Sequence, residues 1–151
     1  MTRQRAKRIQ PLIQIAKNAV QEAMGYMGQL QQSIEAEKQK KQTLIEYQSE
    51  YQNNFKKKGI VGVKGLEIQQ FESFMLQIND AMEQQSNQVF HLQQQLIRAK
   101  GIFQDLSQRL KSYQKLQDRL INQAIKLEDT QMQKMLDEIG SQLHRLRHSE
   151  H

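Results

Sequence analysis

An apolar seam with heptad spacing is the feature of this sequence that most restricts its fold. From Ile9 the seam continues in alternating steps of four and three residues, through Ile13, Ala16, Val20, Ala23, Met27, Leu30, Ile34, Glu37, Lys41, Leu44, Gln48, Tyr51 and Phe55. Three of its positions, Glu37, Lys41 and Gln48, are polar. A repeat of about 3.5 residues buries one narrow stripe of a helix against a second helix. The pattern predicts a coiled-coil helix over residues 5–57.

A second seam starts at Phe71 and predicts a longer helix over residues 66–147. Its further members are Met75, Ile78, Met82, Gln85, Val89, Leu92, Leu96, Ala99, Phe103, Leu106, Leu110, Tyr113, Gln117, Leu120, Ala124 and Leu127. Near Leu127 the phase slips by one residue, which locally changes the winding of a coiled coil. The stripe then resumes at Met132, Leu136, Ile139, Leu143 and Leu146.

Between the seams lies KKKGIVGVKG, which predicts a turn over residues 58–65. The lysines suit the last turn of a helix, where the dipole favours cations. Gly59 suits the left-handed residue that ends a helix. A short turn between two heptad helices predicts an antiparallel pair. The predicted fold is therefore all-α: one long antiparallel two-helix coiled coil, a helical hairpin over residues 1–151 whose second helix is longer.

The register of the pair follows from the position of the turn. Folding about the turn makes the numbers of facing residues add up to about 126. Ala23 then faces Phe103, a small residue opposite a large one, as dense packing requires. Lys41 faces Gln85, and such a polar layer lowers stability while it fixes register.

The two helices differ in length, so the second is expected to overhang the first by roughly 40 Å. The stripe from Met132 to Leu146 falls in this overhang and has no counterpart on the first helix. A lone amphipathic helix is marginally stable in water. We expect the overhang to fray, to self-associate or to bind a partner.

Composition excludes several classes of protein. Gln makes up nearly a fifth of the chain, which is too polar for an ordinary globular core of this length. The chain has no Cys, so it holds no disulfide and no thiolate metal site. Its apolar runs fall far short of the roughly 20 residues of a membrane span, and its basic N-terminus lacks the apolar core of a secretory signal. A cytoplasmic location is expected. The net charge of +6 leaves open a nucleic acid, an anionic membrane or an acidic partner.

Residues for catalysis or metal binding are sparse. His144 and His148 lie four residues apart, but no carboxylate or third ligand stands at useful spacing, so no metal is expected. Phosphate-binding loops and nucleophile motifs are missing, and a two-helix rod offers no concave pocket. We therefore expect neither an enzyme nor a bound cofactor.

Aromatic and apolar residues are concentrated beside the turn. Tyr47 and Tyr51 lie one helical turn apart and either pack into the seam or form a docking patch, since rings supply much of the binding energy at interfaces. Ile60, Val61 and Val63 in the turn either fold over the end of the coil or touch a partner.

The segment LIEYQSEY resembles the LI-x-Y-Q-x-E-Y signature of the FliJ family, matched by Leu44, Ile45, Tyr47, Gln48, Glu50 and Tyr51. Four further segments resemble the family in the same order along the chain: RIQPLIQIA, IQQFESFMLQI, RLKSYQKLQDR and QKMLDE. Together they cover nearly the whole sequence.

The resemblance implies a noncatalytic component of the flagellar type III protein export apparatus. Members of the family are similar to the gamma stalk of rotary ATP synthases. The implied partners are the flagellar export ATPase hexamer, the export-gate protein FlhA and export chaperones. The implied role is flagellum assembly, and hence motility and chemotaxis, at the cytoplasmic side of the inner membrane, with peripheral membrane association through these partners.

The resemblance also implies two groups of partner-binding residues. The residues that match the family's gate-contacting surface are Leu44, Tyr47, Tyr51, Phe71, Met75, Ile78 and Met82. The chain departs from the family at Ile78 and Met82, where a small residue and a histidine are common. For the ATPase ring we expect basic and apolar residues at both chain ends: Arg3, Arg5, Arg8, Leu143, Arg145, Leu146 and Arg147.

Two other functions compete with this hypothesis. A generic coiled-coil tether or oligomerisation rod would stimulate no ATPase. A basic helical nucleic-acid binder would show a steep salt dependence, but no recognition motif supports it, and we expect no nucleic-acid partner.

Overall fold

The computed structural model describes residues 2–62 and 64–149, and within them the chain forms two α-helices. Helix α1 spans Thr2–Val61 (60 residues) and helix α2 spans Gly65–Ser149 (85 residues). The fold is the predicted all-α helical hairpin with a longer second helix. In the described ranges, neither helix carries a stretch apolar enough to cross a bilayer.

Helix formation follows from composition, because Gln, Lys, Glu, Leu and Ala are all good helix formers. Helix α1 even continues through Pro11. Proline lacks the N–H that would bond the carbonyl of Lys7, so that carbonyl loses its partner within the helix. Lys7 is exposed, so water can replace the missing bond.

The chain divides into two compact units. The turn unit is Glu22–Phe103, and the terminal unit consists of the described residues within Met1–Gln21 and Gln104–His151. The helices run antiparallel in the turn unit, where Phe55 stacks on Phe71 and Gln48 bonds to Asn79. Both pairs agree with the predicted register of about 126.

Antiparallel pairing is also found in the terminal unit. The side-chain amide of Gln117 donates to the carbonyl of Ala6 at 3.2 Å and to Oε1 of Gln10 at 2.9 Å. Arg3 forms an ion pair with Glu128. These contacts hold residues 117–128 alongside the start of α1.

The core of each unit consists of seam residues. In the turn unit the buried apolar side chains are Leu30, Ile34, Ile78 and Ala99, and in the terminal unit they are Ala6, Ile9, Ile13, Ala16 and Ala124. All except Ala6 are predicted seam positions, and Ala6 continues the same spacing by three residues. From Ile125 to Ser149 every side chain is exposed, which agrees with the expected unpaired stripe.

The turn is shorter than predicted. Lys58 to Val61 remain helical, so Gly59 does not end α1. Gly62 has a φ of 118°, and its N–H bonds the carbonyl of Lys58 at 3.0 Å. A glycine inside a helix costs only about 1 kcal/mol, and the backbone bonds of the extra turn offset that cost. Val63, one of the predicted turn contacts, lies outside the described residues.

Helix α2 begins at Gly65, one residue before the predicted start. The carbonyl of Lys64 accepts from the N–H groups of Glu67 at 3.0 Å and Ile68 at 3.3 Å. Glu67 lies in the first turn of α2, where the helix dipole favours an acidic side chain.

Candidate partner-binding site

Five aromatic side chains form a continuous ring cluster in the turn unit: Tyr47, Tyr51, Phe55, Phe71 and Phe74. Phe55 and Phe71 stack with ring centroids 4.0 Å apart and planes inclined by 12°. Tyr51 also stacks on Phe71, at 5.6 Å and 7°. Phe74 lies 4.3 Å from the ring of Tyr51 and meets Tyr47 edge-on at 5.7 Å.

The spacing of the rings along each helix explains the cluster. Tyr47, Tyr51 and Phe55 follow one another at four-residue steps, which places them on one face of α1. Phe71 and Phe74 are three apart on α2 and share a face in the same way. Antiparallel pairing brings the two faces together, so each ring packs against the opposite helix.

Tyr47 is the member of the cluster that is most open to solvent, at 54% exposure. Tyr51, Phe55, Phe71 and Phe74 are half-buried. Each of the two interpretations therefore applies to one tyrosine. Tyr51 packs between the helices, while Tyr47 presents a ring surface to solvent.

The other residues predicted for the gate surface differ in accessibility. Leu44, Met75 and Met82 are half-buried. Ile78 is only 5% exposed. Its side chain contributes to the core and offers a partner almost no surface.

Two residues of α2 were not predicted from the sequence: Phe74, a member of the cluster, and Leu76. Phe74 lies beside the seam rather than on it, and only its spacing of three from Phe71 signals its place in the cluster. Leu76 is 64% exposed. It lies next to the predicted Met75 in the sequence, but it is not a position of the heptad seam.

A polar contact sets the pairing of the helices below the rings. The side-chain amide of Gln48 donates to Oδ1 of Asn79 at 2.8 Å. Gln48 is one of the polar seam residues, so this seam position is satisfied across the helix pair. On the other side of the cluster, Tyr51, Phe55, Lys58 and Glu67 line a surface groove.

The residues predicted for an ATPase ring lie in the terminal unit and form two separate groups. Arg3, Arg5 and Arg8 are exposed near the start of α1. The second group lies near the end of α2. It consists of Leu143 and Leu146, which are 55% and 61% exposed, and the exposed Arg145 and Arg147.

The ion pair of Arg3 shows how far apart these groups are. Leu143 is 15 residues beyond Glu128, the partner of Arg3, which corresponds to about 22 Å along the helix. The residues of the two chain ends therefore form two separate groups, and their binding to an ATPase ring stays a prediction.

Arg3 is engaged by Glu128 through two hydrogen bonds. Its Nε donates to Oε1 and its Nη2 donates to Oε2 at 2.9 Å. The hydrogen bond from Arg3 lowers the pKa of the Glu128 carboxyl, and the same contact raises the pKa of Arg3. Arg5 and Arg8 are thus the two arginines of the N-terminal group that remain for a partner.

The C-terminal histidines lie close together. The rings of His144 and His148 are 4.1 Å apart between centroids. Across residues 2–62 and 64–149, no three His, Asp or Glu side chains converge in a way that could hold a metal ion. His151 lies outside the described residues.

Comparison with known proteins agrees with the resemblance in the sequence. The family model for the flagellar FliJ protein matches residues 5–149. The flagellar FliJ protein of Escherichia coli (strain K12) is 25% identical over 126 residues, covering 83% of this chain and 86% of the relative. That of Salmonella typhi is 26% identical over 132 residues, covering 87% and 90%. No solved structure matches the chain.

The match to the family model includes most of α1, the turn and all of α2. The ring cluster, the C-terminal group and Arg5 and Arg8 fall within it, and Arg3 lies outside it. The chain belongs to the flagellar FliJ protein family.

Proposed function

We propose that this protein is a noncatalytic component of flagellar type III export that binds the export-gate protein FlhA through the ring cluster and the export ATPase hexamer through the terminal unit. It acts like the gamma stalk of a rotary ATPase, and it also binds and escorts export chaperones. Its place is the cytoplasmic side of the inner membrane, held there by its partners. Flagellum assembly, motility and chemotaxis depend on it.

The exposed ring of Tyr47 beside the packed cluster is the observation that carries the gate proposal. Tyr47 is held edge-on by Phe74, so a partner can cover its free surface without first ordering it. Rigid aromatic side chains lose little conformational entropy on binding and often dominate interfaces. The exposed Leu76 adds apolar area on α2.

Tyr26 provides a matched control for the gate experiment. It belongs to the same unit and is 50% exposed, close to the 54% of Tyr47. Tyr47→Ala is expected to weaken binding to the purified cytoplasmic domain of the gate protein about tenfold or more, whereas Tyr26→Ala leaves it unchanged. Equal affinities for the two variants, measured by calorimetry, would reject the ring cluster as the gate surface.

The exposed stripe near the end of α2 supports the ATPase proposal. Leu143 and Leu146 lie three residues apart on one helical face, and Arg147, four residues after Leu143, shares that face. This face combines apolar area with positive charge, whereas Arg145 projects from another side of the helix. Leu143→Ser with Leu146→Ser is expected to reduce stimulation of export-ATPase hydrolysis and ring formation.

Ile125→Ser with Leu127→Ser is the control, because both residues are exposed on the same helix, at 43% and 54%. Removal of residues 140–151 should weaken ATPase binding more than gate binding. An equal loss of ATPase binding and gate binding would contradict the assignment of the two partners to separate parts of the chain. A generic coiled-coil tether would leave ATP hydrolysis unchanged with every variant.

A further inference from the structure

The end of the turn unit combines exposed aliphatic side chains with lysines. We call this group the lysine tip: Lys56, Lys57, Lys58, Ile60, Val61, Lys64 and Leu66. Ile60 and Val61 are 87% and 89% exposed, and Leu66 is 66% exposed. All four lysines are exposed as well. Of the two sequence interpretations, folding over the end of the coil is excluded for Ile60 and Val61.

The charge at the tip is strongly one-sided. Between residues 56 and 67 the sequence holds four lysines and a single acidic residue, Glu67. Glu67 is half-buried in the first turn of α2, where the positive end of the helix dipole favours it. The exposed charge around Ile60 and Val61 is therefore cationic.

We infer that the lysine tip binds an anionic lipid membrane directly, with Ile60, Val61 and Leu66 entering the headgroup region and the lysines contacting lipid phosphates. Aliphatic side chains gain free energy by leaving water for the acyl boundary. Lysine side chains can lie along that boundary with their ammonium groups at the headgroups.

The residue types favour a lipid surface over an acidic protein. Protein interfaces are enriched in aromatic residues and Arg and depleted in Lys. The tip contains four Lys but neither Arg nor an aromatic residue. The rings lie farther from the turn, in the cluster that ends at Phe55. The tip thus has the composition of a membrane-surface segment, next to a cluster with the composition of a protein-binding site.

Binding of the full-length chain to lipid vesicles tests the inference. We expect binding to vesicles that contain phosphatidylglycerol and none to vesicles of phosphatidylcholine alone. Neutralising one lysine should weaken binding about fivefold, and Lys56→Gln, Lys57→Gln and Lys58→Gln together on the order of a hundredfold. The control Lys100→Gln, Lys111→Gln and Lys115→Gln removes the same charge from exposed positions elsewhere. Equal losses for the two triple variants would overturn the inference.

Insertion of the apolar side chains into the membrane can be measured separately from the electrostatic attraction of the lysines. The chain contains no Trp, so Ile60→Trp introduces a unique indole. Its emission should shift to the blue when anionic vesicles are added. Ile97→Trp, at a site that is 62% exposed in the same unit, should not shift. No shift at residue 60, or a shift at both sites, would contradict insertion of the tip.

Two further arms separate lipid from protein binding. Binding to poly-glutamate without binding to vesicles would assign the tip to an acidic protein and overturn the lipid proposal. Tyr47→Ala should bind vesicles like the unmodified chain, because Tyr47 lies outside the lysine tip. Loss of gate binding and loss of lipid binding are thus independent results.

Discussion

The ring of Phe55 stacks on that of Phe71 with centroids 4.0 Å apart, and this contact joins the two helices six residues before α1 ends at Val61. Phe71 in turn stacks on Tyr51, so one ring of α2 is covered by two rings of α1. The pairing of the helices near the turn therefore depends on aromatic contacts.

Replacing Phe55 by Ala should destabilise the protein. The substitution removes a half-buried ring and its stacking contact with Phe71, with an expected loss of about 2 kcal/mol. Phe90→Ala is the control, since Phe90 is 56% exposed, and its expected loss is below about 0.5 kcal/mol. Urea unfolding followed by circular dichroism measures both. Similar midpoints for the two variants would show that the stack contributes little.

Gly62 is expected to tolerate no side chain without strain. Its φ of 118° is a conformation that other residues rarely adopt, so Gly62→Ala should cost about 1–3 kcal/mol. Gly25→Ala should have the opposite sign, because Gly25 is helical, exposed and free of close neighbours, and Ala favours a helix by about 1 kcal/mol. Thermal unfolding of the two variants shows whether each substitution raises or lowers stability. Stabilisation by both would contradict the turn geometry.

The side-chain oxygen of Gln85 is buried and has no hydrogen-bond partner. Replacing Gln85 by Leu should remove the desolvation cost of that oxygen and raise the free energy of unfolding by about 1 kcal/mol. Gln84→Leu, at an exposed position, should have almost no effect. Chemical denaturation distinguishes the two. A loss of stability in Gln85→Leu would mean that a partner such as Lys41 satisfies the oxygen in solution.

Stability should depend on the ionisation of Glu128 in acid. The hydrogen bond from Arg3 lowers the pKa of Glu128 in the folded protein below its ordinary value of 4.5. A lowered folded-state pKa stabilises the fold above the unfolded pKa, and that contribution disappears as pH falls through the folded pKa. The melting temperature of the unmodified chain should therefore exceed that of Arg3→Gln above pH 4.5 and approach it in stronger acid.

The pKa of Glu128 can be followed by nuclear magnetic resonance. It should rise to its ordinary value in Arg3→Gln, while Arg5→Gln leaves it lowered. Because both side chains of the pair are more than half exposed, the difference should also shrink with added salt. A pKa that is the same in all three proteins would contradict the ion pair.

Heptad spacing was enough to predict the fold and most of the core. Leu30, Ile34, Ile78 and Ala99 are buried where the seam places them, because a period of 3.5 residues leaves only one stripe for a second helix to cover. The register followed from the position of the turn and is seen in the pair Phe55–Phe71.

Features that depend on individual side chains or on competing signals were less predictable. Gly59 and Gly62 are both able to end a helix, and only the backbone shows that Gly62 has the positive φ. Phe74 enters the ring cluster from beside the seam, which a heptad assignment ignores. The contact between Arg3 and Glu128 depends on where α1 starts relative to α2, and helix ends are poorly encoded.

The exposed end of α2 has a consequence for local stability. Residues 129–149 lie beyond the ion pair of Glu128 with Arg3 and bury no side chain, so their helix is held by its own backbone bonds rather than by tertiary packing. Amide protons there should exchange with solvent through local opening, long before those around Ala124. A protease should likewise cleave this segment first, unless another molecule covers it.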